Sequence, residues 1–291
     1  MSVYKTGIFY HPSYSRRSYL TVGTRLADYP TALSEILDND QVTLYEPGPI
    51  PEELLLKIHT PYMIEGVKRD PLCSTAWHSA MGVVMGGEKI ISGEILNAFV
   101  FIGAGGHHSG RDYFGGYCCF NDVALCIVNL RENYGIRRFA ILDTDAHHGD
   151  GTRDLVRDDP ETLHVCLCGR DYESPDGTKV DVGYPDFPGG LHGGRTMNDI
   201  YYDLVASNFP GRVREFSPQL LVWYFGFDTH VGDYGDIGLT SSCYFKMADL
   251  IIELACEVSG GNLMVVLGGG SMTHLASSLI PPIIKRMARI K

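Results

Sequence analysis

The sequence lacks any apolar run of about 18 residues, the length a membrane-spanning helix needs. It also lacks the basic-then-apolar N-terminal stretch of a signal peptide. No membrane partner is expected, and the expected location is the cytoplasm. Positive charge is in short supply: 24 Lys and Arg face 35 Asp and Glu, for a net charge of −11. Nucleic-acid binding needs a basic face, so no nucleic-acid partner is expected, whereas a cationic ligand is compatible with this balance. Zinc-knuckle spacing is absent as well. The eight cysteines include two close pairs, Cys118-Cys119 and Cys166-x-Cys168, and neither has that spacing. Several cysteines lie in apolar runs, where the thiol behaves as a small buried hydrophobe. The expectation is a reducing compartment and no disulfide framework. Repeats, low-complexity tracts and long linkers are missing too, so residues 1–291 read as a single catalytic-size domain.

What is present is a recurring unit: a short apolar run that ends in Gly, His or Asp, followed by a helical stretch. The runs are 97-NAFVFIG-103, 138-RFAILD-143, 163-LHVCLC-168, 219-QLLVWYFGFD-228 and 262-NLMVVLGGG-270. They are apolar on both faces, as buried parallel strands are. Residues 121–134 and 243–259 carry apolar side chains at helical spacing and stop at Gly135 and at Gly260-Gly261. This alternation predicts an α/β fold with a central, mostly parallel sheet and helices on both faces. In such folds ligands bind beyond the carboxyl ends of the strands.

The polar clusters fall at those ends. The densest is 141-ILDTDAHHGDGT-152. Residues two apart on a strand face the same way, so Asp143, Asp145 and His147 project from one side as the strand runs out. Any one of them alone reads better as a turn or cap. Three Asp and two His within eight residues read as ligands for a borderline divalent ion. A second cluster, 226-GFDTHVGD-233, places Asp228 to complete a set of two carboxylates and one histidine, which leaves a coordination position open. A third, 103-GAGGHHSGRD-112, brings His107 and His108 to another strand end.

Together these segments resemble the histone deacetylase family, with its acetylpolyamine and acetoin-utilisation relatives. The family patterns are a GHH pair, a GFCxxND segment, a DxDxHHGDGT run, a GFDxHxxDP loop and a Gly-rich strand end bearing Tyr. Here they read Gly106-His107-His108, 116-GYCCFND-122, 143-DTDAHHGDGT-152, 226-GFDTHVGD-233 and 267-LGGG-270, with fainter likeness at His11-Pro12 and 59-HTPYMIEGV-67. The resemblance implies the three-layer α/β/α arginase/deacetylase fold. It also implies a zinc-dependent amidohydrolase with one Zn²⁺ per chain, Fe²⁺ or Mn²⁺ being alternatives, on Asp145, His147 and Asp228. His108 paired with Asp150 is then the general base, and His107 paired with Asp143 assists. Gly116, Tyr117, Gly269, Gly270 and Ser271 fall at substrate-binding positions. The implied substrate is acyl-lysine in protein or a small acylated amine or polyamine.

Three departures qualify the likeness. The family tyrosine that donates to the oxyanion is replaced by Ser271, or by Met272 in a shifted register, leaving His274, Tyr113 and Arg170 as other donors to consider. The family's Ser-Leu-His reads Cys166-Leu167-Cys168, which puts its monovalent-cation site in doubt. The Asp-Pro of the third motif is Asp233-Tyr234. Arginases and agmatinases share the fold but need a second Asp where this chain has His230, so one metal ion is expected rather than two. The missing tyrosine keeps a second reading open: a metal-binding pseudo-enzyme, or a different metal-dependent hydrolase on the same scaffold.

Overall fold

The protein is described by a computed structural model covering residues 5–17, 25–185 and 193–290. Its strands are β1 (Thr6–Phe9), β2 (Val42–Tyr45), β3 (Asn97–Val100), β4 (Phe139–Asp143), β5 (Thr162–Leu167), β6 (Tyr172–Glu173), β7 (Lys179–Val182), β8 (Leu220–Phe225) and β9 (Leu263–Leu267). They form one sheet in the order β2-β1-β3-β9-β8-β4-β5-β7-β6. Every neighbouring pair is parallel except β6 with β7. The five apolar runs became β3, β4, β5, β8 and β9, and every residue in those strands is buried.

The pleat shows why both faces must be apolar. Ala98 of β3 pairs with Met264 of β9, and Val100 shares their face. A methyl group added to Gly86 in the helix Ala76–Ile91 would touch Val100, Met264 and Ala98. Phe225 of β8, opposite Leu267, points the other way and meets Tyr244 of the helix Ser241–Ser259 edge-on at 5.8 Å. Helices thus cover both faces, giving the three-layer arrangement expected from the sequence. The two helices read from spacing end where their glycines predict: Asp122–Tyr134 at Gly135 (φ 68°) and Ser241–Ser259 at Gly260 (φ 65°). Asn121 caps the former, its side chain accepting from the Ala124 N–H at 3.0 Å.

One expectation is corrected. Cys73 and Cys119 form a disulfide across 46 residues of sequence. Cys73 lies in the 3-10 turn that leads into the helix Ala76–Ile91, and Cys119 lies just before the helix Asp122–Tyr134. Packing of those two helices brings the thiols together, which spacing along the chain does not reveal. The cysteine pattern therefore gives no support to a reducing compartment. No helix among the described residues is long and apolar enough to cross a membrane.

The sheet also positions the residues just past its strand ends. Trp223 of β8 is buried and donates its indole N–H to Thr144 Oγ1 at 2.9 Å. The Thr144 N–H donates to the Tyr224 carbonyl at 3.1 Å. The β4–β8 pairing thus runs one residue past the strand and fixes the backbone between Asp143 and Asp145.

The helix contact is tight enough to test. A side-chain carbon on Gly87 would lie 2.5 Å from Cys126 Sγ and 3.0 Å from Leu130 Cδ1. Replacing a helix glycine gains up to about 1 kcal/mol in propensity, but overpacking a core costs about 1–3 kcal/mol. Gly87→Val is therefore expected to lower the urea midpoint of unfolding with an unchanged slope. An unaltered midpoint would contradict this packing.

Candidate active site

The central strands β3, β9, β8 and β4 deliver four segments to one edge of the sheet, and those segments surround a cavity of about 300 Å³. His107, His108, Gly116, Tyr117, Asp145, His147 and Gly269 line it, with Arg25, Tyr224, Tyr234 and Gly268. The sequence motifs assigned a site role to the first seven and none to the last four.

Asp145, His147 and Asp228 each bring a ligand atom to one point, all within 4.8 Å of one another. Both carboxylates are buried, while His147 is half-exposed. His147 Nδ1 lies 3.2 Å from Asp145 Oδ1 and 3.2 Å from Asp228 Oδ2. Backbone N–H groups aim the carboxylates: Gly269 donates to Asp145 Oδ2 at 2.7 Å, His147 to Asp145 Oδ1 at 3.1 Å, and Ala146 to Asp228 Oδ1 at 3.1 Å. Burial, then the Asp145 charge, push Asp228 up to about 7. Burial opposes the charge on Asp145, yet His107 and the His147 hydrogen bond hold it below the usual carboxylate range. Hydrogen bonds to Asp145 and Asp228 raise His147 to about 10. Two carboxylates and an imidazole converging this closely fit a divalent cation in the place that a shared proton otherwise takes.

Two His–Asp pairs stand beside this point. His107 Nδ1 is 2.9 Å from Asp143 Oδ2, and its Nε2 is 3.8 Å from Asp145 Oδ2. Burial disfavours a charge on His107, but Asp145 and Asp143 outweigh it and raise the ring to about 9. His108 Nδ1 is 2.6 Å from Asp150 Oδ1. Burial first, then the neighbouring His107, hold His108 below its ordinary value. The two adjacent histidines are thus shifted in opposite directions, the deeper one up and the outer one down. Gly116 (φ 57°) is required here, since a side-chain carbon on it would meet the His108 ring at 2.7 Å. Tyr117 follows at φ 64°, an uncommon conformation for a non-glycine residue, and stands half-exposed at the cavity wall.

The glycine strand end departs from expectation. Ser271 does not line the cavity: its Oγ donates to Asp233 Oδ1 at 2.9 Å. Gly270 also lies outside the lining, and its N–H donates to the Tyr234 hydroxyl at 3.2 Å. Tyr113, Arg170 and His274 do not line the cavity either. Tyr234 does. Its ring stacks on His147 with centroids 5.6 Å apart. A methyl group on Gly269 would sit 2.6 Å from the Tyr234 hydroxyl and 2.7 Å from both Asp145 Oδ2 and Asp228 Oδ2. Only glycine leaves that volume open, and a phenol faces both carboxylates across it. Burial keeps the phenol pKa well above its ordinary value, so it remains a donor. The signal in the sequence was the change at Asp233-Tyr234, within the same loop as Asp228. Arg25 is fully buried and donates to the carbonyls of Gly268 (2.6 Å), Gly270 (3.1 Å) and Ile102 (3.0 Å). It lies outside every motif, and nothing in the sequence marked it.

The cysteine pair does not sit in the cavity wall. Cys166 and Cys168 lie with His148 and Asp181 at the end of β5. The hydrogen bond from Cys166, against burial and with help from His148, lowers the Cys168 thiol to about 6. Neither cysteine is a plain hydrophobe.

Comparison with known proteins agrees with this geometry. Residues 22–281 match the histone deacetylase domain. The chain is 28% identical to a probable deacetylase of Archaeoglobus fulgidus, over 91% of this chain and 81% of that one. It is 30% identical to a histone deacetylase-like amidohydrolase of Pseudomonas aeruginosa, over 63% of this chain and 50% of the relative. With the polyamine deacetylase HDAC10 of Mus musculus it shares 29% identity over 65% of this chain but only 29% of that protein. Among solved structures, the HDA15 HD domain superposes with a TM-score of 0.82 at 19% identity, covering 98% of this chain and 90% of that one. That likeness establishes the fold. With a domain match across most of its length, and the motif residues gathered at the ends of the central strands, the chain belongs to the histone deacetylase family.

Proposed function

We propose that the protein hydrolyses an acylated amine, either acyl-lysine in protein or a small acylated amine or polyamine, with one divalent ion on Asp145, His147 and Asp228. The observation that carries this reading is the Tyr234 hydroxyl facing both metal-site carboxylates across Gly269, beside the His108–Asp150 pair. Zn²⁺ suits the ligand types, with Fe²⁺ or Mn²⁺ as alternatives. Bound there, such an ion supplies Lewis acidity toward water and toward an amide carbonyl.

The chain's own groups account for the rest. Asp150 holds His108 through Nδ1, which leaves Nε2 as the basic nitrogen. His108 takes a proton from the water that attacks the acyl carbon. It returns that proton to the amine nitrogen as the C–N bond breaks. His107, held by Asp143 through Nδ1, turns its other ring nitrogen toward the metal-site carboxylates, where it can hydrogen-bond to the water or to the carbonyl oxygen. The Tyr234 phenol donates to that oxygen, the role of the family tyrosine missing at Ser271. A cavity of about 300 Å³ is at the lower end for ligand pockets and suits a single acyl chain. The missing tyrosine favoured a pseudo-enzyme, and the position of Tyr234 supports the hydrolase reading over it.

Zinc-loaded protein is expected to release amine from a panel of acylated lysines and polyamines. His108→Ala should slow that release by roughly 10²–10⁴-fold with zinc content unchanged. Full activity in the variant would place the base elsewhere. The second expectation separates the two donors. Tyr234→Phe should lower kcat by about 10²–10³-fold with little change in KM, while Ser271→Ala stays near wild type. A wild-type kcat in Tyr234→Phe would show that another group meets the oxyanion.

A further inference from the structure

Outside the cavity, three adjacent strands bring four metal-binding side chains to one point. Cys166 of β5 is paired in register with Asp181 of β7. Cys168 lies two residues past Cys166, so both thiols project to the same side. His148 comes from the loop after β4, the strand on the other side of β5. One ligand atom from each, Sγ from both cysteines, an imidazole nitrogen and a carboxylate oxygen, lies within 4.8 Å of the other three. His148 Nδ1 is 3.2 Å from Cys168 Sγ and 3.6 Å from Asp181 Oδ1. In tetrahedral zinc sites, with Zn–S about 2.3 Å and Zn–N about 2.0 Å, ligand atoms stand roughly 3.3–3.8 Å apart. The Cys166 and Asp181 side chains are fully buried.

We infer that His148, Cys166, Cys168 and Asp181 form a second metal site, a closed four-ligand site for a thiophilic d¹⁰ ion, Zn²⁺ by ligand type. Two sulfurs and an imidazole select such an ion over a hard monovalent one. The charge balance allows it. Arg153 donates to Asp181 Oδ1 at 2.6 Å and Arg170 to Asp181 Oδ2 at 2.9 Å, so the cluster already carries two guanidinium charges. Both cysteines bind such an ion as thiolates, so its two positive charges are matched by two sulfur charges. Coordination through Nδ1 puts the His148 proton on Nε2, where the Arg170 guanidinium now donates at 2.5 Å. Arg170 is more than half exposed, so its outer nitrogen swings into solvent while Nε stays on Asp181. The ion would tie β5 and β7 to the loop after β4. His148 is the direct neighbour of His147, so the second site would also fix the backbone that carries a ligand of the first.

The test uses whole protein kept under reductant, loaded with Zn²⁺ or with Co²⁺ alone and desalted. Elemental analysis should give about two Zn²⁺ per chain for wild type and about one for both Cys166→Ser/Cys168→Ser and Asp228→Ala. The Co²⁺ form should show a thiolate-to-cobalt charge-transfer band in wild type and in Asp228→Ala, and none in the cysteine variant. The wild-type and Asp228→Ala spectra decide the matter even if the cysteine variant folds poorly. Absence of the thiolate band from wild-type protein, or a zinc content that the cysteine substitutions leave unchanged, would overturn the second site.

Discussion

Everything in this active site depends on holding two buried carboxylates, Asp145 and Asp228, next to each other. Two like charges about 4 Å apart repel by roughly 4 kcal/mol at an effective dielectric near 20. The fold meets that cost with oriented groups. Three backbone N–H donors, from Ala146, His147 and Gly269, aim the carboxylates, and the His147 imidazole bridges them. Those donors exist because β4, β8 and β9 lie side by side at the centre of the sheet and end at the same level. The buried Trp223–Thr144 hydrogen bond then locks the first residues past β4. A stable core therefore becomes a charged site within two residues of the strand end.

The same constraint accounts for the placement of Tyr234. Asp233 accepts from the backbone N–H groups of Ser271 and Met272 and from the Ser271 hydroxyl. Its carboxylate clasps the loop after β8 to the glycine strand end. Tyr234, the next residue, is thereby laid over His147 with its hydroxyl beside Gly270. Ser271 serves in that clasp rather than in the cavity. The phenol that stands beside the two carboxylates comes instead from the neighbouring loop.

Much of this was legible in the sequence. Strands apolar on both faces announced a parallel sheet, and polar clusters at their ends announced the residues that converge there. Strand periodicity alone put Asp143, Asp145 and His147 on one side. What the sequence hid are meetings between segments far apart in the chain. Tyr234 comes beside the two carboxylates only where β8 and β9 end together. Arg25 reaches Gly268 from more than 240 residues away. The Cys73–Cys119 disulfide needs two helices to pack, and the Cys166–Asp181 meeting needs the β5–β7 register. None of these leaves a local period or motif to read.

The most direct test of the carboxylate pair as a metal site is thermal unfolding of metal-free protein with and without added zinc, in the Cys166→Ser/Cys168→Ser background so that only Asp145, His147 and Asp228 respond. A ligand at 100 times its Kd stabilises the folded state by about 2.7 kcal/mol. Zinc should therefore raise Tm by several degrees. Asp228→Asn, which removes one charge of the repelling pair, should be at least as stable without metal and should not respond to zinc. An unchanged Tm on adding zinc, or an equal rise in Asp228→Asn, would contradict the account.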